Sequence, residues 1–304
     1  MNEFKSEFYP IPIKEIADKH RCFYPYMTSI DKTYLLDSPS KTSTYLSNWK
    51  YRFFGLLDIL DELSYLSAKN DIPILTVKGF AYALTVYPDF FSRPFSDIDI
   101  FVLHKDYAKA IKMLLKSGFS ETSKPHYSKN HRAFSKKSVT VELHHDFSRD
   151  FDFKINSDDF FFENPVLVEF DSIRFLVPKA EKHIIYSVIH AFNHGFFNPP
   201  IWVLDIYLTA FKNNISLEEL QKNINPTSLK RITNIAFAIV DTILDLNLKL
   251  KISPLEKLIS EFVVKKLKTS EFPYFSEYPV RFLTLNTMFD FSFEENLNFL
   301  TSRW

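Results

Sequence analysis

Apolar residues recur at helical spacing at Leu46, Trp49, Phe53, Leu56, Leu57, Leu60, Leu63 and Leu66, which predicts an amphipathic helix ending near Lys69-Asn70. "IPILTV" follows as a short apolar strand, broken by Lys78-Gly79, and "FAYALTVY" reads as a short helix closed by Pro88. "DIDIFVL" is the next strand, and "KDYAKAIKMLLKSG" a helix whose end is marked by Gly118. "HRAFSKKSVTVELHH" has the pattern of a hairpin, its second strand running from Val139 to about His145. After residue 178 the period becomes helical throughout. Pro178 opens one helix, "IWVLDIYLTAF" forms a second, and Ser216 with Glu219 makes a capping box for a third. Further helical patterns lie around residues 228–247 and 254–268. The pattern predicts an α/β half followed by an all-helical half. Its divisions are an extension of short helices and loops over 1–45, a core over 46–177, and a helical domain over 178–304 that completes a cleft.

Composition narrows the class. The chain has 304 residues, with 37 basic and 37 acidic side chains and no formal net charge. Proteins that grip long nucleic acid usually carry a basic excess, because phosphate neutralisation supplies much of their affinity. Cys22 is the only cysteine, which excludes an intrachain disulfide and a thiolate zinc cluster. The N-terminal stretch lacks the basic-then-apolar layout of a signal peptide. No apolar run reaches the roughly 18 residues of a membrane span, so a cytoplasmic location without membrane contact is expected. The four glycines, at 55, 79, 118 and 195, permit no dinucleotide fingerprint, Walker loop or kinase glycine-rich loop.

Two charges interrupt the most strand-like run. Strand side chains alternate, so Asp97 and Asp99 share one face while Ile98 and Ile100 share the other. Two carboxylates so close repel unless something positive lies between them. In "VTVELHH", Glu142 and His144 likewise share a face. If that strand lies beside "DIDIF", Glu142 becomes a third carboxylate at the same point, and three carboxylates could hold two metal ions for in-line displacement at phosphorus. The residues alone also admit a purely structural acidic pair, or a metal-dependent hydrolase using the same acids with the histidines.

Taken together, "ILTVKG", "YPDFFSRPFSDIDIFV", "AIKMLLKSGF", "VELHH" and "VPKAEKHIIYSVIHAFNH…WVLDIYL" resemble the polymerase-β-like nucleotidyltransferase superfamily, and within it a poorly characterised bacterial branch. The resemblance spans about residues 50 to 210. It implies an α+β fold, a mixed sheet with flanking helices followed by a helical C-terminal half. It also implies an enzyme that moves a nucleoside monophosphate from an NTP, ATP by default, to a hydroxyl acceptor with release of pyrophosphate. Carried onto this sequence, Asp97 and Asp99 match the metal-binding pair and Glu142 the third acid, which in the superfamily helps activate the acceptor. Two Mg²⁺ ions, with Mn²⁺ as the alternative, go with that set. Gly79 matches the turn that cradles the triphosphate, and Lys78 and Arg93 fall where basic residues neutralise phosphate. His144 would face the same site in a supporting role.

Several positions depart from the branch. Phe80 follows Gly79 where Ser is common, the interval from Gly79 to Asp97 is long, Glu142 replaces an Asp, and His145 replaces a Trp. Neutral net charge favours a small-molecule or protein hydroxyl as acceptor over long nucleic acid. A weakly catalytic, antitoxin-like protein of the same fold that binds a protein partner is the alternative reading. His183, His190 and His194 form a stripe along one helix, read as cleft lining or packing in preference to zinc, and Asp205 interrupts an apolar helix as a structural acid.

Overall fold

The computed structural model describes residues 39–122, 131–146, 155–196, 200–225 and 227–269. Those residues fall into two compact units, 39–183 and 184–269. The proposed extension over 1–45 lies mostly outside the described residues, as do the 270–304 aromatic tail and most of the polar 123–132 loop.

The first unit is built on a seven-stranded sheet with the order β3-β4-β5-β2-β1-β7-β6. Its strands are β1 (Leu75–Val77), β2 (Asp97–Phe101), β3 (Ser120–Glu121), β4 (His131–Lys136), β5 (Val139–His144), β6 (Val166–Phe170) and β7 (Ile173–Val177). β2 runs parallel to β5 and antiparallel to β1, while β1 runs parallel to β7, so the sheet is mixed. Helix α1 (Pro39–Asn70) covers one face. Its stripe of Trp49, Phe53, Leu56, Leu60 and Leu63 joins Ile98, Ile100, Val141 and Leu143 in a single core cluster. Each such leucine contributes on the order of 2 kcal/mol by leaving water. Helix α3 (Tyr107–Lys116) adds Ala110, Met113 and Leu114 to the same cluster.

Because strand residues alternate, committing Ile98, Ile100, Val141 and Leu143 to this core forces Asp97, Asp99, Glu142 and His144 onto the opposite face. The short helix α2 (Lys78–Thr85) leaves β1 beside them. Helix α4 (Ser157–Phe162) sends Phe161 against Phe101 at 4.4 Å. The β6–β7 hairpin, turning at Asp171-Ser172, is an element the periodicity reading did not assign.

Helix α5 (Ala180–Asn193) begins in the first unit and continues into the second. The second unit then adds α6 (Trp202–Lys212), α7 (Leu217–Asn223), α8 (Thr227–Leu244) and α9 (Pro254–Thr269). Ser216 Oγ accepts the Glu219 N–H at 3.2 Å, the predicted cap. A buried polar chain runs from Gln221 to Asn234 (2.9 Å) and on to Glu256 (3.1 Å), so each amide has a partner.

Candidate functional site

The parallel register of β2 and β5 sets Asp99 beside Glu142, Asp97 beside Thr140 and Phe101 beside His144. The strand neighbour on which the three-carboxylate reading depended is therefore present. Glu142 stands directly across the ladder from Asp99.

His144 lies between the two acids. Its Nε2 is 3.3 Å from Asp99 Oδ1 and 3.4 Å from Glu142 Oε2. Carboxylates only accept, so this nitrogen carries a proton and donates to both. Burial alone would disfavour the imidazolium, but the hydrogen bonds to Asp99 and Glu142 outweigh it and raise the His144 pKa. The ring is fixed by a stack across three strands, with Phe101 at 4.9 Å on one side and His131 at 4.9 Å on the other.

Lys78 supplies the second positive charge, its Nζ reaching Asp99 Oδ1 at 2.5 Å. Burial pushes the Glu142 carboxyl up. The His144 hydrogen bond and the charges of Lys78, His144 and His131 overcome that, and hold it well below the usual carboxylate range. Asp97 goes the other way. Burial and the charge of Asp99, only partly offset by Lys78, push it up to about 6.

The donor set fits a divalent cation. Ligand atoms of Asp99, Glu142 and His144 all lie within 4.8 Å of one another. The carboxylates suit Mg²⁺ or Mn²⁺. His144 Nε2, while it donates to both acids, orients them and is free to ligate only after losing its proton. Asp97 is not one of these three, and its carboxylate accepts from Ser96 Oγ at 3.3 Å.

The remaining sequence candidates divide. It is Lys78, at φ 55, that takes the left-handed conformation at the turn, and Gly79 does not. Gly79 is needed for another reason, since a Cβ there would lie 2.3 Å from Phe95 Cβ. Arg93 is buried and donates to the carbonyl of Pro94. The histidine stripe separates: His183 belongs to the first unit and accepts the Lys78 N–H, whereas His190 and His194 lie in the second, 4.7 Å apart. Among the described residues, neither belongs to a group of three or more potential metal ligands. Asp205 is buried in the first turn of α6. His145, standing where the branch has Trp, meets His104 instead, Nδ1 to Nδ1 at 3.1 Å.

A family model described as "Uncharacterised nucleotidyltransferase" matches residues 13–245. The chain belongs to that family. It is accordingly an enzyme of the nucleotidyltransferase class, as its resemblance to the polymerase-β-like superfamily implied, and the general chemistry is transfer of a nucleoside monophosphate. No curated protein sequence matches the chain significantly. Similar solved structures include ANT(2″)-Ia in complex with adenylyl-2″-tobramycin, at 9% identity and TM-score 0.38 over 57% of this chain and 93% of that one. Another is an antigenic nucleotidyltransferase-like protein from Paracoccidioides brasiliensis, at 13% identity and TM-score 0.39 over 63% of this chain and 93% of that one.

Proposed function

We propose that this nucleotidyltransferase uses a divalent cation, Mg²⁺ by preference, to move a nucleoside monophosphate from ATP or another NTP to a hydroxyl on a small molecule or protein. The observation that carries the reading is the alignment of Asp99, Glu142 and His144 on one sheet face with the Lys78 ammonium against them. Lys78 and His144 offset part of this acidic cluster, and a divalent cation would supply the further positive charge that lets a triphosphate approach the carboxylates. Asp97, Asp99 and Glu142 would hold the metal, two ions where both sites fill. When bound, the metal neutralises the phosphate oxygens and lowers the barrier to displacement at phosphorus.

The chain's own groups do the rest. Glu142 accepts the proton of the acceptor hydroxyl. The hydroxyl oxygen then forms its bond to the α-phosphorus, and the bond from that phosphorus to the bridging oxygen breaks. The electron pair leaves with pyrophosphate. Lys78, Arg93 and the first turn of α2 at Gly79 neutralise and seat the triphosphate. His144 orients Asp99 and Glu142.

Calorimetric titration with ATP, GTP, CTP and UTP tests this, with and without Mg²⁺, on the wild type and on Asp99→Asn. Mg²⁺-dependent binding of a nucleotide, weakened at least tenfold in the folded variant, is expected. Equal binding by Asp99→Asn would sink the site assignment, and no nucleotide binding at all would favour the partner-binding alternative.

A further inference from the structure

Lys78 combines two demands. Its backbone is left-handed, φ 55, which costs a non-glycine residue about 1–2 kcal/mol, and its Nζ must still reach Asp99 at 2.5 Å. A strained conformation persists only where its surroundings over-determine it. Here the surroundings are His183 and Tyr82. His183 Nε2 accepts the Lys78 N–H at 3.1 Å. The imidazole lies flat on Tyr82, ring centroids 3.8 Å apart and planes 9° from parallel. The Tyr82 hydroxyl donates in turn to the His183 carbonyl at 2.8 Å. One histidine thus grips α2 at its first residue and again one turn later.

Acceptance at Nε2 requires a neutral ring with its proton on Nδ1. Burial, aided by the charge of Arg93, keeps it neutral and lowers its pKa to about 3. All of these contacts lie within the first unit.

We propose that His183 is the positioning residue for Lys78: clamped on Tyr82 and accepting the Lys78 N–H, it fixes the left-handed turn that carries Lys78 Nζ to Asp99 and presents it to a triphosphate. The presentation to a triphosphate rests on the function proposed above, while the clamp on Lys78 does not. His183 acts only through Lys78 and touches no reacting atom.

Two substitutions separate the contributions. His183→Phe keeps a flat ring on Tyr82 and removes the acceptor, whereas His183→Gln returns an amide oxygen near the place of Nε2. The first measurement needs no nucleotide: the rate at which an acylating reagent modifies each lysine of the full chain, read by peptide mass spectrometry. Lys136, paired with Glu62 at 2.5 Å in the same unit, is the control. Lys78 is expected to react at least fivefold faster in His183→Phe with Lys136 unchanged, and within twofold of wild type in His183→Gln. Unchanged Lys78 reactivity in His183→Phe overturns the proposal, and so does an equal rise at Lys136, which would mean general loosening.

The second measurement is MgATP affinity in the wild type, His183→Phe, Lys78→Met and the double variant. About a tenfold loss in each single variant, with no further loss in the double, is expected. Additive losses would show that His183 does not act through Lys78. If the wild type binds no MgATP, the nucleotide reading fails, and the acylation rates alone decide the clamp.

Discussion

Gly79 and Gly55 are both helical glycines, yet an added methyl group meets opposite surroundings. At Gly79 it would lie 2.3 Å from Phe95 Cβ and 2.7 Å from Cγ. Phe95 cannot retreat, since its ring is packed edge-on against Trp49 at 5.2 Å and Phe80 at 6.3 Å. Gly79→Ala should therefore destabilise the protein by about 2–3 kcal/mol through overpacking. At Gly55 nothing lies within 4 Å, and alanine in the middle of α1 should stabilise by roughly 0.5–1 kcal/mol. Urea unfolding of the two variants checks both signs. His183 makes the other residue-level prediction. Its folded pKa of about 3 lies below the ordinary value of 6.5, so below pH 6.5 the unfolded chain binds the extra proton and the native state loses stability as pH falls. The loss runs at up to roughly 1.4 kcal/mol per pH unit. The stability difference between wild type and His183→Gln should therefore shift against the wild type from pH 7 to pH 4.5. A pH-independent difference would contradict a buried neutral imidazole. None of this is legible in the sequence: lysine does not mark a left-handed turn, and His183 lies 105 residues from the amide it receives.

At the scale of elements, legibility follows burial pattern. β2 and β5 were readable because one face of each is committed to the α1 core and the other to polar work, which leaves the alternation clean. The β6–β7 hairpin escaped because β6 is an edge strand with Val166 and Leu167 both exposed, so its apolar residues do not alternate. Its partner does alternate, with Ile173, Phe175 and Val177 inward and Arg174 outward, and Asp171-Ser172 marks the turn; that signal could have found it. Beyond the β4–β5 hairpin, strand order is not readable from the pattern. β1 is only three residues long, and its neighbours are set by contacts far apart in sequence. Helix ends were better signposted. Ser216 caps α7 by accepting the Glu219 N–H as the sequence predicts, while its hydroxyl donates to Glu218 at 3.0 Å, so Ser216→Ala should cost about 1 kcal/mol and Ser216→Thr much less. Urea unfolding of the two variants reads both costs.

At the scale of the whole molecule, charge balance supports the proposed small-molecule or protein acceptor over long nucleic acid. With 37 basic and 37 acidic side chains the net charge is zero, and Asp99, Glu142, Lys78 and His144 compensate one another locally. An enzyme that modifies long nucleic acid gains affinity by displacing counterions from many phosphates, which gives a steep salt dependence. A balanced protein has little such affinity to offer, while one triphosphate can still be held by a few short-range donors inside a site. Fluorescence anisotropy with a 20-nucleotide single-stranded RNA is therefore expected to show no binding tighter than about 100 µM at 0.15 M salt, the weak end of non-specific affinity. Lowering the salt should strengthen it only slightly, since few counterions are released. Micromolar binding with a steep salt slope would return the acceptor to nucleic acid.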